Sequence, residues 1–325
     1  MTLTLLIIVI IAALIFEYIN GFHDAANAIA TVVSTKVLTP RQAILMSGCL
    51  NFVGAFTGTH VAKMIGGGLV DTAVITQEVI IAALLSAIVW NLFTWYFGIP
   101  SSSSHALIGG LVGATISKAG TSAVHFKGLW EKVLIPMFTS PLIGLVIGFL
   151  LMVILLWFFY KSSPEKMNII FRKAQLVSSA FMAFSHGSND AQKTMGIITL
   201  ALLSYGSISV MEIPFWVVFL CALFMGLGTM GGGWRIIRTM GSKVIKLKPV
   251  HGFAAETSAA LVIFTASHFG IPLSTTHVIS TSIIGVGLSQ RASAMKWGLV
   301  SRIVQTWIFT IPVCGALAWG FFKLF

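Results

Sequence analysis

The chain has 325 residues, of which 57% are hydrophobic and 9% charged, with a mean hydropathy of +0.95 and a formal net charge of +11. A water-soluble protein is about a quarter charged, so this composition excludes a soluble globular fold and describes one membrane domain whose solvent is lipid. Of the 20 basic residues, all but Lys193 and Lys323 fall in short loops between apolar runs, which excludes nucleic acid as a partner and makes the charge a topology signal.

The first 20 residues are apolar and lack both a charged leader and a small-residue cleavage site, so they are expected to be retained as a helix. That helix runs into GFHDAANAIAT (residues 21–31), a polar motif expected to interrupt it. A basic loop (34–42) and a second apolar helix follow, and the glycines at 66–68 read as a turn at a helix end. Next comes AALLSAIVWNLFTWYFGIPSSSSH (82–105), in which Gly98-Ile99-Pro100 ends one helix and the hydroxyls open another. A long apolar segment then reaches the polar stretch 161–173.

Beyond that stretch the pattern repeats. GSNDAQKTMGI (187–197) aligns with residues 21–31 at an offset of 166, and AAETSAALVIFTASHFGIPLSTTH (254–277) aligns with 82–105 at an offset of 172. The chain is therefore a duplication: repeat 1 over 1–160, a cytoplasmic linker over 161–173 and repeat 2 over 174–325. Lipid would not tolerate the runs after each GIP unless protein or water surrounded them, so each GIP segment is expected to be a re-entrant hairpin with a polar tip. Three full crossings per half then remain, an odd number, which inverts the second half relative to the first. The cysteines Cys49, Cys221 and Cys314 have no paired spacing and read as small packing residues, without a disulfide or a structural metal.

Loop charges agree with this topology. One side holds Lys63, Lys118, Lys127 and Lys132 against Asp71, Glu78, Glu131 and Glu212; the other holds 14 basic residues against Glu165 alone. The second side is cytoplasmic by the positive-inside rule, and both termini face outward. The expected fold is thus an all-α integral membrane protein of the inner (plasma) membrane, an inverted-repeat secondary transporter with broken helices and two re-entrant hairpins.

At membrane depth this leaves Glu17, Asp24, Asp190, Glu256 and Lys193, each needing a partner or a cavity. Asp24 and Asp190 are equivalent in the two repeats; either they cap the second half of a broken helix or they share an ion site around a pseudo-twofold axis. The tips Ser101, Ser102, Ser103, Ser104 and Ser274, Thr275, Thr276 exceed the need of a helix cap. Hydroxyls with free N–H groups at a helix N-terminus make a neutral donor cradle for an oxyanion. His105 and His277 either donate to the anion or brace the tips. Asn27 and Lys193 are equivalent but unlike: Asn27 with Asp24 could coordinate sodium, whereas Lys193 cannot, and it would replace a second cation or touch the anion beside Asn189. Glu256, opposite Leu84, is a candidate proton carrier. Asn20, His23, Asn91 and His186 are candidate supporting groups, with helix-packing hydrogen bonds as the other possibility.

Together GFHDAANAIAT, HGSNDAQKTMG, GIPSSSSH and GIPLSTTH resemble the inorganic phosphate transporter (PiT) family, bacterial low-affinity type, over essentially the whole chain. The resemblance implies a symporter with alternating access that takes up inorganic phosphate with protons or sodium ions, in some members as metal phosphate, without a cofactor and often as a homodimer. It places Asp24, Asn27, Asp190 and the tip hydroxyls at the phosphate and cation site. Sodium-coupled members typically repeat an asparagine where this chain has Lys193, so protons are the favoured coupling ion. Three other classes stay open: a sulfate permease of the same fold, a channel, and an intramembrane serine hydrolase. The hydrolase is opposed by Ser104 and His105 being adjacent on one helix, where side chains do not face each other.

Overall fold

The structure, a computed structural model, describes residues 2–325. The first half comprises α1 (Leu3–Ser34), α2 (Pro40–Gly54), α3 (His60–Gly67), α4 (Gln77–Phe97), α5 (Ser103–Ala119), the short α6 (Phe126–Leu129) and α7 (Ile135–Phe158). The second comprises α8 (Pro164–Tyr205), α9 (Phe215–Gly231), α10 (Trp234–Arg238), α11 (Pro249–His268), α12 (Thr275–Leu288) and α13 (Trp297–Phe322). Four helical stretches, Leu3–Ser34, Gln77–Phe97, Phe126–Phe158 and Trp297–Phe322, are long and apolar enough to cross a membrane. Counting α9 and the segment after it as one span bent by 59° makes a fifth.

Packing exchanges partners between the halves. Helix α1 lies against α9 and α10 while α8 lies against α2 and α3; α5 packs on α13 while α12 packs on α7. The apolar core is divided to match. One cluster joins Leu6, Val9 and Phe16 of α1 with Met195 and Ile198 of α8 around α4 and α5. The other joins Ile29 and Val32 of α1 with Met182 and Ala183 of α8 around α11 and α12. Helices α1 and α8 therefore pass each other in opposite directions, and each hairpin sits in a different cluster. What lies between the clusters is polar.

Two expectations need correction. The motifs at 21–31 and 187–197 do not interrupt their helices: α1 runs unbroken for 32 residues and α8 for 42. An isolated glycine costs a helix only about 1 kcal/mol, and here it serves close approach. A Cβ on Gly21 would stand 2.6 Å from the Met225 carbonyl oxygen, and one on Gly187 would stand 2.2 Å from that of Asn51. The breaks lie instead at the two GIP segments and after α9. The linker is also shorter than expected, because Ser163 caps α8 by accepting from the Lys166 N–H and Pro164 takes its first position. Residues 164–173 are thus the opening turns of α8.

Small residues set the interhelical distance elsewhere too. A Cβ on Gly113 would lie 2.1 Å from the Gly315 carbonyl oxygen, backbone against backbone across α5 and α13, whereas one on Gly67 would meet nothing within 4 Å. Gly113→Ala is expected to destabilise the purified protein by about 1–3 kcal/mol, read as a lowered melting temperature in detergent. Gly67→Ala should not lower it.

Candidate functional site

Both hairpins are made by the same local chemistry. Helix α4 ends at Gly98 in the left-handed region (φ 66°), and beyond α11 Gly270 adopts the same φ of 66°. The Ile99 N–H reaches back to the Thr94 carbonyl and the Ile271 N–H to that of Ala266, each at 2.9 Å, a closure that favours glycine because it has no Cβ. Pro100 and Pro272 prevent continuation. Ser102 then caps α5 by accepting from the His105 N–H at 3.2 Å, and Ser274 caps α12 by accepting from that of His277 at 3.3 Å. One hydroxyl per tip is used as a cap, while Ser104, Thr275 and Thr276 reach the polar layer.

There the tips meet α1 and α8 crosswise. Asn27 donates through Nδ2 to Thr275 (3.2 Å) and Thr276 (2.9 Å) of the second hairpin. At the equivalent position Lys193 donates to Ser104 of the first hairpin, to the Asp190 carboxylate at 2.7 Å and to the Leu273 carbonyl at 3.0 Å. Thr275 donates to Asp190 at 3.3 Å and Thr276 to Asp24 at 3.4 Å. The tips also touch directly, Ser104 donating to the Leu273 carbonyl at 3.3 Å. Asp24, His186 and Asp190 offer ligand atoms within 4.8 Å of one another, all buried. The cluster thus holds two carboxylates, one ammonium and a ring of hydroxyls, closed to solvent, with Asp24 3% and Lys193 2% exposed. Charges this deep are tolerable only when paired and hydrogen-bonded.

The remaining candidates divide. His23 bonds Asp24 at 2.7 Å and Thr94 at 3.0 Å, supporting the aspartate from behind. Ser101 is drawn back onto Thr94 at 2.8 Å and lies at the base of the tip. Asn189 turns its amide NH₂ to Ser267 at 2.8 Å, leaving its buried Oδ1 without a hydrogen-bond partner. His186 is held by Asn51 at 3.0 Å, and its Nε2, 3.7 Å from Asp190, is unpartnered. Ser103 Oγ, Asn20 Oδ1 and both polar atoms of Asn91 are likewise buried without partners. His105 and His277 face each other edge to face, ring centroids 4.8 Å apart. Buried polar groups are normally satisfied; of these unpaired atoms, His186 Nε2 lies beside Asp190, and Ser103 Oγ is adjacent in sequence to Ser104.

Glu256 is not part of the central cluster. It accepts from Thr31 and Ser178 at 2.5 Å each and from Gln175 Nε2 at 3.0 Å, and Thr35 donates to Gln175 Oε1 at 2.9 Å. Glu17 forms another separate group, accepting from Thr194. The sequence reading missed this cage around Glu256; Gln175 and Ser178 at i and i+3, entering an apolar helix face, were the available signal. It also missed Trp307, which stacks on His277 (centroids 4.1 Å apart) and donates to the Pro100 carbonyl at 3.0 Å, tying the two hairpins together. A tryptophan in an apolar helix gives no such signal.

Comparison with known proteins agrees with this architecture. Residues 20–318 match the model of the phosphate transporter family. A Bacillus subtilis (strain 168) protein named "probable low-affinity inorganic phosphate transporter" is 50% identical over 318 residues, covering 97% of this chain and 95% of that protein. One of the same name from Rhizobium meliloti (strain 1021) is 49% identical, covering 97% and 94%. A solved structure described as "The sodium-dependent phosphate transporter" superposes with a TM-score of 0.86 over 99% of each chain at 24% identity, which shows a shared fold. The apolar spans, the crossed helices and the family match lead to one conclusion: this chain is a multi-pass membrane protein that belongs to the phosphate transporter family, a transporter and not an enzyme.

Proposed function

We propose that the chain is a secondary active symporter that carries inorganic phosphate across the plasma membrane by alternating access, coupled to protons. The observation that carries this reading is the donation at the centre, where Asn27 of one half binds the second hairpin while Lys193 of the other half binds the first through Ser104 and the second through the Leu273 carbonyl. Opening either hairpin must break these bonds, and a bound anion could replace the acceptors they lose. Ser102, Ser103, Ser104, Ser274, Thr275 and Thr276 with Lys193 would hold the anion. Asp24 and Asp190 would accept from a protonated phosphate oxygen, which fully ionised sulfate lacks, so the same carboxylates that repel sulfate select phosphate.

Proton coupling rests on Lys193 and Glu256. The Lys193 ammonium stands where an asparagine would complete a second sodium site, and Glu256, buried with three donors and no cationic partner among the described residues, is suited to carry a proton. Sodium at Asp24 and Asn27 is the rival. The Asp24, His186, Asp190 group could seat the divalent ion of a metal phosphate as part of the cargo. By the loop charges, the termini are extracytoplasmic and the linker is cytoplasmic. The homodimer implied by the resemblance belongs to the same reading.

Purified protein in liposomes is expected to accumulate labelled phosphate under an imposed pH gradient without sodium, and unlabelled sulfate is expected to compete poorly. Accumulation that appears only with a sodium gradient overturns proton coupling. Equal competition by sulfate overturns the selection by carboxylates.

A further inference from the structure

A cavity of about 670 Å³ opens where the end of α7 meets the beginnings of α8 and α11, and it shares no residue with the central site. Met152 and Leu156 form its apolar wall and lie within the span Phe126–Phe158; Phe159 and Ser162 lie just past it, so the cavity straddles the end of a membrane crossing. Trp157, Phe158 and Tyr160 at the same level are each about 70% exposed, as aromatic side chains are at a bilayer interface. Across the opening His251 is buried and fixed, accepting from the Lys248 N–H at 3.1 Å and bonding Gln290 through its other nitrogen. This makes the far wall a formed surface.

The polar end carries positive charge. Lys248 lines it, and the Lys161 ammonium sits 5.4 Å from the ring centroid of Tyr160, which also lines it. Both lysines are exposed, and neither has an ion-pair partner among the described residues. An apolar trough at bilayer depth that ends at the Lys248 ammonium, with Lys161 beside its Tyr160 rim, suits a diacyl anion seated from the lipid phase.

We propose that this cavity is a binding site for an anionic phospholipid, its acyl chains along Leu156 and Phe159 and its phosphate at Lys248, with Lys161 beside the Tyr160 rim as a second cation. A free phosphate ion would have no use for the apolar wall, and a zwitterionic lipid would bring its own cation to the lysines. The site is independent of the transport reading and stands whether or not that reading does.

The test uses full-length protein stripped in neutral detergent and offered equimolar phosphatidylglycerol and phosphatidylcholine with matched acyl chains, the retained lipid being read by native mass spectrometry. Two lysines predict a preference for phosphatidylglycerol of about 30-fold, roughly 2 kcal/mol. Lys161→Ala with Lys248→Ala is expected to abolish the preference while the protein stays monodisperse, and Met167→Trp, which fills the cavity, to reduce retention of both lipids. Equal retention of the two lipids by the unaltered protein overturns the proposal. So does an undiminished preference in the double variant, or displacement of phosphatidylglycerol by millimolar inorganic phosphate.

Discussion

Lys193→Ala is expected to abolish phosphate uptake and to destabilise the protein by about 3–5 kcal/mol, the usual cost of removing one partner of a buried ion pair. The reason is local: the ammonium holds Asp190 at 2.7 Å and the Leu273 carbonyl at 3.0 Å, and it binds Ser104 as well. Alanine leaves the Asp190 charge at 0% exposure with only the Thr275 hydroxyl facing it and the more distant His186. Lys193→Asn separates the chemistry from the packing. An amide reproduces what Asn27 does in the other half, and its carbonyl can face a mobile cation as an ammonium cannot. This variant is expected to recover part of the lost stability and to take up phosphate only when sodium is supplied. Uptake by the alanine variant at the level of the unaltered protein would reduce Lys193 to a space-filling role.

Asp24→Asn and Asp190→Asn should each lower uptake by about 100-fold, roughly 3 kcal/mol, because each removes the charge from at least two hydrogen bonds. Their stabilities should differ. Asp190→Asn leaves the Lys193 ammonium buried without a counter-ion, whereas Asp24→Asn loses only the charge facing His23 and Thr276. The first variant should therefore melt well below the second, with both still inserted in membranes. Retained uptake in both would make the paired acids structural, and equal melting would remove the ion pair from the account of stability.

The hairpins were legible in the sequence because their chemistry is local. Glycine in the left-handed region, a proline beyond it and a serine cap appear as GIP followed by hydroxyls, and the structure uses each as that pattern implies. The inversion of the second half was legible in the repeat and the odd number of crossings, with the loop charges agreeing, whereas the exchange of packing partners was not. The course of α1 and α8 was misread because Gly21 and Gly187 look alike whether they break a helix or let a neighbour come close; only the Met225 and Asn51 carbonyls decide the matter. The cage around Glu256 and the bridge made by Trp307 were hidden for a related reason. Their partners come from elements far apart in sequence, 225 residues for Thr31 and Glu256 and 207 for Pro100 and Trp307.

One consequence follows from the unlike pair at positions 27 and 193. In the alternating access proposed above, a perfectly duplicated carrier would convert its outward-open form into its inward-open form by letting the halves trade conformations, and the two forms would have equal energy. A tethered cation on one side and an uncharged amide on the other remove that degeneracy. The two open forms of the empty protein then differ in energy, and the pair at 27 and 193, with Glu256 opposite Leu84, would set which way the carrier leans.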